Sequence, residues 1–422
     1  MQLRQTNLPI WMCSAVLVIA LIGPGIGLRG IYFSHVLILL ALVCAVAANV
    51  RIPLTEIRRH HVVLSVLLVA VAYLMFEAAI GAEPVALTKH MAILFVSVST
   101  MVATYSLVRY TQSSARSILA LETFIWLLVV FCAIESTTGL RLPVSRYSEG
   151  STDASLSDSI GGDQFWHVPT AFFGNENNLA LLLLLLLAAT PLIARSRRPV
   201  LLLAQSTLVV MTGSRIALLM LLPAAVLYAW SVGVRAQRLI LCAVGVVCVA
   251  TVLSLSSLAC DEWLSPKMCL LVGVASERPD LLLLESGNDS IGVRASLWVQ
   301  AVEVLERNPW FGIGPGSLSA HIAAEHFEAG TITNAHNPPL EVLAEYGWVG
   351  VWLWVLPYLM LVRFVVSAPD SRIRRCTLAV LLLLPLASPT VSSMYYFTPV
   401  WALIGILCGL VGRSVTIERG YD

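Results

Sequence analysis

Three side chains in this sequence add up to a chemistry: Arg215, Arg294 and His336. Arg215 lies in TGSRIALL, between two apolar runs. Arg294 sits near the start of an amphipathic stretch, VRASLWVQAVEVLERNPW. His336 heads HNPPLEVLAEYGWVG, where a polar loop gives way to a strongly apolar run. A guanidinium grips phosphate oxygens with two parallel donors and has no proton to lose. An imidazole titrates near neutral pH and can draw a proton from a hydroxyl. Together they suit transfer of a group whose leaving group is a phosphate or pyrophosphate. Each also has a plainer reading. Arg215 can be an arginine snorkelling from a helix end, Arg294 a solvated loop residue, and His336 the polar cap of a hydrophobic helix. A first-turn cation opposes the helix macrodipole, so Arg294 needs some other reason for its position.

Other polar groups fit the same question. FFGNENNLALLL places Asn175, Glu176, Asn177 and Asn178 at the start of an apolar run, either as an interfacial cap or lining a polar cavity for a hydroxylic ligand. Glu77 falls inside another apolar run, where a carboxylate is expensive. No H-x-x-H or C-x-x-C occurs, Asp153, Asp158 and Asp163 are spread through a Ser/Gly-rich stretch, and Asp261-Glu262 stands apart. Neither a metal site nor a cofactor is expected. Gly312, Gly314 and Gly316 lack the preceding strand and following helix of a dinucleotide-binding loop. They read as a tight turn that lets backbone approach a ligand or the helix bundle.

The elements that must position these groups are membrane helices. The chain of 422 residues is 58% hydrophobic and 12% charged, against about 45–50% and about 25% in soluble domains. Its net charge of +1 leaves no nucleic-acid footprint. Spans of about 20 apolar residues are expected at 9–27, 31–50, 62–81, 90–108, 117–137, 171–194, 199–212, 214–233, 237–257, 337–362, 376–392 and 396–412. The first is read as a span and not a cleaved signal, since no A-x-A-like site follows. With the N-terminus inside, 17 of the 26 Lys and Arg residues fall in inner loops. Arg215 and Arg294 fall outside, where that rule does not favour them. The resulting division is 1–257, nine spans with an outer loop at 138–170; 258–336, a large outer loop; and 337–422, three spans and an inner tail. Within the large loop, Cys260 and Cys269 can pair in an oxidising compartment or remain thiols. Asp289 or Ser290 caps an amphipathic helix with Ala295, Trp298, Val302 and Leu305 as its apolar face, ending at Asn308-Pro309. In the last part, Asn337 can cap and Pro338 suits the first helical position. Ala344, Gly347 and Gly350 would let a neighbouring helix come close.

His336-Asn337, nine residues, Gly347, two residues and Gly350 form H-N-x9-G-x-x-G. This pattern resembles the signature of the bacterial O-antigen ligases, within the O-antigen ligase/polymerase superfamily. VRASLWVQAVEVLERNPWFGIGPGS resembles the superfamily's arginine–tryptophan helix and Pro/Gly-rich segment. GSR at 213–215 resembles its arginine at the outer start of a span. By motif the likeness covers roughly 170–350. It implies an all-α, GT-C-like polytopic fold of about twelve helices in the bacterial inner membrane, with both termini cytoplasmic and the active site facing the periplasm. It implies inverting, metal-independent glycosyl transfer. The donor would be O-antigen on undecaprenyl pyrophosphate, and the acceptor a sugar hydroxyl of lipid A-core oligosaccharide. His336 would act as general base or orient the acceptor, Arg215 and Arg294 would bind the pyrophosphate, and Asn337 would hold the histidine or its helix. Polymerization of O-antigen and O-linked protein glycosylation are alternatives within the superfamily. A lipid-linked sugar transporter is a further one outside it, although the polar residues cluster on the outer side.

Overall fold

The computed structural model describes residues 10–23, 27–28, 31–32, 34, 36, 84–111, 113–139, 168–173, 175–233, 290–314, 316–324, 337–391 and 397–418. Among them the helices are Ile10–Ile22 (α1), Pro84–Thr111 (α2), Ser114–Thr138 (α3), Glu176–Ala189 (α4), Arg198–Met211 (α5) and Arg215–Val232 (α6). Ser290–Arg307 (α7), Ser317–Ala324 (α8), Pro338–Val366 (α9), Arg372–Ala387 (α10) and Thr398–Glu418 (α11) follow. Short 3-10 turns extend α4 and α10. Otherwise a two-residue antiparallel ladder joins Gly27–Leu28 to Ile31–Tyr32, so the span expected over 31–50 does not begin as helix at 31. The expected spans 62–81 and 237–257, together with Glu77, lie outside the described residues.

A helix apolar on every side must be covered on every side. That is the situation of α4: Leu179 to Ala189 are all buried, walled in by α5, α6 and α10. Toward the periphery, Leu203 and Leu219 leave most of their surface outside the protein. Among the described residues, two helices are long and apolar enough to cross a bilayer, α3 and Arg372–Thr390. The broken helix α9 is a third if its halves count as one span. With these apolar helices, the chain is a membrane protein. The two halves of α9, Pro338–Trp352 and Trp354–Val366, meet at 57°. Pro357 lacks an amide hydrogen, and its ring crowds the carbonyl four residues back, at Leu353. The span expected at 337–362 is therefore bent, not straight.

The bundle has two unlike ends. At one, Arg413 donates to the Arg109 carbonyl, 3.5 Å, and Arg197 pairs with Glu122 near the start of α3. Arg198 donates to the Ile193 carbonyl. At the other end, Glu135 in the last turn of α3 holds the chain that enters α4. Its carboxylate accepts from the Thr170 amide (2.9 Å), the Thr170 hydroxyl (2.8 Å) and the Ala171 amide (2.6 Å). Phe172 then meets Phe131, and Phe173 meets Phe397 just before α11. Helices α4, α5 and α6 are joined by short turns and run up, down and up. The N-terminal ends of α4 and α6 thus lie at the Glu135 end.

Candidate functional site

Arg215 is the first residue of α6, after Ser214 in extended conformation. It stands at the Glu135 end of the bundle, as does Asn175, and α6 packs mainly on α4 and α10. Asn175 is the N-cap of α4, its side chain accepting from the Asn177 amide at 2.7 Å, and Asn177 is buried. Asn175 therefore serves its own helix. Arg294 lies in the second turn of α7. Asn337 caps α9: its side chain accepts from the Leu340 amide at 3.3 Å, and Pro338 follows in the first turn. His336 and the pair Cys260 and Cys269 lie outside the described residues.

The apolar face of α7 read from the sequence, which could lie on the membrane or on the bundle, is not the face packed on the bundle. Leu297, Ala301 and Val304 are buried, whereas Trp298, Val299 and Val302 are exposed. The helix carries two adjoining apolar stripes. The stripe with Leu297, Ala301 and Val304 is the one that packs on Leu340 and Ala344 of α9 and on Leu318 and Ile322 of α8. The bulkier stripe faces outward, as it would toward a membrane interface.

The junction between these helices is built from backbone. Gly347, with φ 60° and ψ −167°, breaks α9. In an unbroken helix the Ala344 and Glu345 carbonyls would accept from the Trp348 and Val349 amides. Here those same four groups bond to the turn that follows α7. Ile313 and Gly314 donate to the Ala344 and Glu345 carbonyls (3.1 and 2.9 Å), while Trp348 and Val349 donate to the Pro309 and Trp310 carbonyls (2.9 and 3.1 Å). The turn is spliced into the break, and no freed group of that set is left without a partner. A Cβ on Gly312 would fall on the Glu345 carbonyl, and one on Gly347 on the Trp310 carbonyl. What comes close to Gly347 is thus a turn, not the neighbouring helix its sequence suggested. Gly350 is filled from within its own helix: a Cβ there would overlap the Cβ of Tyr346. Tyr346 is buried against Leu94 and Val98 of α2, which moors the first half of α9 to the bundle.

This splice fixes direction. Leu297 and Ala301 share a buried cluster with Leu340 and Ala344, and the chain leaving α7 meets α9 further on, at Trp348 and Val349. Both helices therefore advance in the same sense, and their N-terminal ends lie toward the same side. One carries Arg294; the other begins directly after His336. Two helix N-termini on one side add their positive ends, which favours an anion.

Two acidic residues enter the site that the pattern reading passed over. Glu341 and Glu345 are both buried, one helical turn apart. Glu345 accepts from the Leu318 amide at 3.3 Å and from the Gly316 amide. One oxygen of each, Oε2, has no hydrogen-bond partner among the described residues. The signal was present in LEVLAEYG: like charges four apart on an apolar helix are unfavourable unless something holds them. Glu135 was missed for the same reason, an acid inside an expected span.

Residues 200–355 match the family described as O-antigen ligase. That stretch runs from α5 through the break in α9 and includes Arg215, Arg294, His336 and Gly347. A comparison with curated proteins found no match.

Proposed function

From the match of residues 200–355 to the family described as O-antigen ligase, we propose that this chain is an O-antigen ligase of the O-antigen ligase/polymerase superfamily. It moves O-antigen from undecaprenyl pyrophosphate to a sugar hydroxyl of lipid A-core oligosaccharide, at the periplasmic side of the bacterial inner membrane. The observation that carries this reading is the family match across the segment that holds both arginines and the histidine. The chain then divides as its sequence suggests, with nine spans, a periplasmic loop at 258–336 and three further spans on a GT-C-like plan. Both termini lie in the cytoplasm. The arginine-bearing end around Arg197, Arg198 and Arg413 supports that orientation.

His336 takes the proton from the acceptor hydroxyl. The oxygen attacks the anomeric carbon on the face opposite the pyrophosphate, and the bond from that carbon to the pyrophosphate oxygen breaks. The configuration inverts, and undecaprenyl pyrophosphate leaves with its electron pair. Arg215 and Arg294 neutralise the charge that grows on the leaving oxygen. The paired helix N-termini of α7 and α9 support the same role. Asn337 starts the helix that follows the histidine and so fixes where the base stands. The reaction needs no metal ion in this scheme.

Deletion of the gene tests the assignment. A ligase leaves lipid A-core uncapped while lipid-linked polymer accumulates. Accumulation of single repeat units indicates a polymerase instead, and loss of glycosylated protein with normal lipopolysaccharide indicates a protein oligosaccharyltransferase. In purified protein, His336→Ala, Arg215→Ala and Arg294→Ala each abolish transfer. Near-normal turnover by His336→Ala overturns the base assignment.

A further inference from the structure

We infer that Glu345 is a positioning residue that sets α7 against α9, and with them the arginine on one and the base that precedes the other. The inference rests on the ligase reading for what is positioned, and on the splice for how. One residue receives three amides at alternate positions of the Pro/Gly-rich segment. The Gly314 amide donates to its backbone carbonyl at 2.9 Å. The Gly316 amide donates to its side chain, and the Leu318 amide to its Oε1 at 3.3 Å. The segment is drawn along Glu345 from the end of the turn to the first residues of α8.

That arrangement needs three things that the chain supplies. Gly314 and Gly316 have positive φ, 96° and 68°, which lets the segment turn each amide toward the glutamate. Gly312 has no Cβ to strike the Glu345 carbonyl. The glutamate itself is nearly inaccessible, at 2% exposure, so water cannot replace it as acceptor for the buried Leu318 amide. Its backbone bonds fasten the turn. Its side chain fastens α8, whose Leu318 and Ile322 pack in the same cluster as Leu297, Ala301 and Ala344. Without the side chain, α8 loses its hydrogen-bonded tie to α9 and is held only through apolar contacts, which resist sliding weakly, and the four backbone bonds of the splice must hold α7 in register without that support. Reacting groups displaced by about 1 Å can lose about 100-fold in rate.

The length of the side chain is the testable element. Glu345→Gln keeps both reach and a carbonyl acceptor, and its new amide can donate to the neighbouring Glu341. Glu345→Asp keeps the carboxyl group and loses the reach. Glu345→Ala loses both. Transfer by the purified full-length protein is expected to rank Gln above Asp and Ala. Gln should keep kcat within about threefold of the parent, and Asp and Ala should lose about 100-fold in kcat, with KM for the lipid-linked donor little changed. Hydrogen exchange at the 316–318 amides should rise in Asp and Ala and not in Gln, with α4 unaltered. If Ala does not fold, the comparison of Gln with Asp decides alone. Asp at or above Gln in kcat, or Asp and Ala at parental kcat despite faster exchange at 316–318, overturns the inference. Absence of transfer by the parent protein itself, with the exchange ranking intact, counts against the ligase reading and leaves standing the hold of Glu345 on α8.

Discussion

Gly347→Ala puts the splice under direct load. The parent backbone, φ 60° and ψ −167°, lies in a region that only glycine occupies comfortably, and another residue there costs about 1–3 kcal/mol. The new Cβ would also overlap the Trp310 carbonyl, so the turn must withdraw or the helix must close. If α9 closes, the Trp348 and Val349 amides return to the Ala344 and Glu345 carbonyls. Two bonds are then regained, but the four to the turn are lost. At about 1 kcal/mol net per bond, that leaves about 2 kcal/mol, with the Ile313 and Gly314 amides stranded. Staying open costs about the same in backbone strain. Adding the penalty for stranded or crowded groups, the variant should weaken the junction by about 2–4 kcal/mol, which is about 30- to 700-fold in an opening equilibrium. Amide exchange read by mass spectrometry on protein in detergent micelles reports this directly. Peptides covering 309–314 should lose protection by about that factor, while peptides from α4, buried in a separate cluster, stay as in the parent. Parental protection over 309–314 in Gly347→Ala would refute the splice as the reason for this glycine.

Further outcomes follow from separate parts of the molecule. Glu135→Ala removes the acceptor for three hydrogen bonds at Thr170 and Ala171, at about 1.5–3 kcal/mol for each bond to a charged group. Limited proteolysis should then cut at 168–173, where the parent resists, and an uncut variant sinks the clamp. Asn337→Ala should cost about 1 kcal/mol as a lost N-cap, and Asn337→Asp or Ser should restore it. Exchange at the Leu340 and Glu341 amides reads this, and equal rates in Ala and Asp variants would remove the capping role. Gly350→Ala keeps a helical backbone but displaces Tyr346 from α2. It should weaken the α2–α9 contact while leaving the 309–314 amides protected, the reverse of Gly347→Ala. Transfer by the purified protein should continue at its full rate in excess EDTA, and a rate lost to EDTA and regained with one divalent cation overturns the metal-independent scheme.

The sequence reading succeeded where structure is dictated by neighbours along the chain. Asn337-Pro338 announced a helix start because a side-chain acceptor and a fixed φ act within one turn. Asn175 did so too, and Asn308-Pro309 marked a stop. Runs such as Leu181–Leu187 could only be buried or membrane-facing. The reading failed where a residue's reason lies elsewhere in the chain. Gly312 and Gly347 each exclude a Cβ because of the other's segment, and no periodicity relates two such positions. A glycine in an apolar helix looks the same in sequence whether a helix, a turn or a side chain fills the space beside it. The sequence left open whether the apolar face of α7 with Trp298 and Val302 lies on the membrane or on the bundle. With two apolar stripes side by side, periodicity alone does not say which packs on the protein, and the stripe with Leu297, Ala301 and Val304 is the buried one.

The acids make the same point about polar groups. Glu135, Glu341 and Glu345 look like costs to be explained away when helices are being counted, since a carboxylate in an apolar helix lowers its score as a span. In the folded chain two of them are what ties loops to helices. Glu135 holds the entry to α4, and Glu345 holds α8 and the Gly-rich turn. On the proposed ligase reading, the site handles a charged pyrophosphate beside a membrane and cannot take its rigidity from apolar contacts alone, because those tolerate sliding. Directional bonds from buried carboxylates to backbone amides do not. If Glu345→Asp, Gly347→Ala and Glu135→Ala each slow transfer while α4 keeps its exchange protection, this rigidity belongs to the reaction. If they slow it only in proportion to a general loss of protection across α4, the same bonds serve the fold and the reaction gains nothing particular from them.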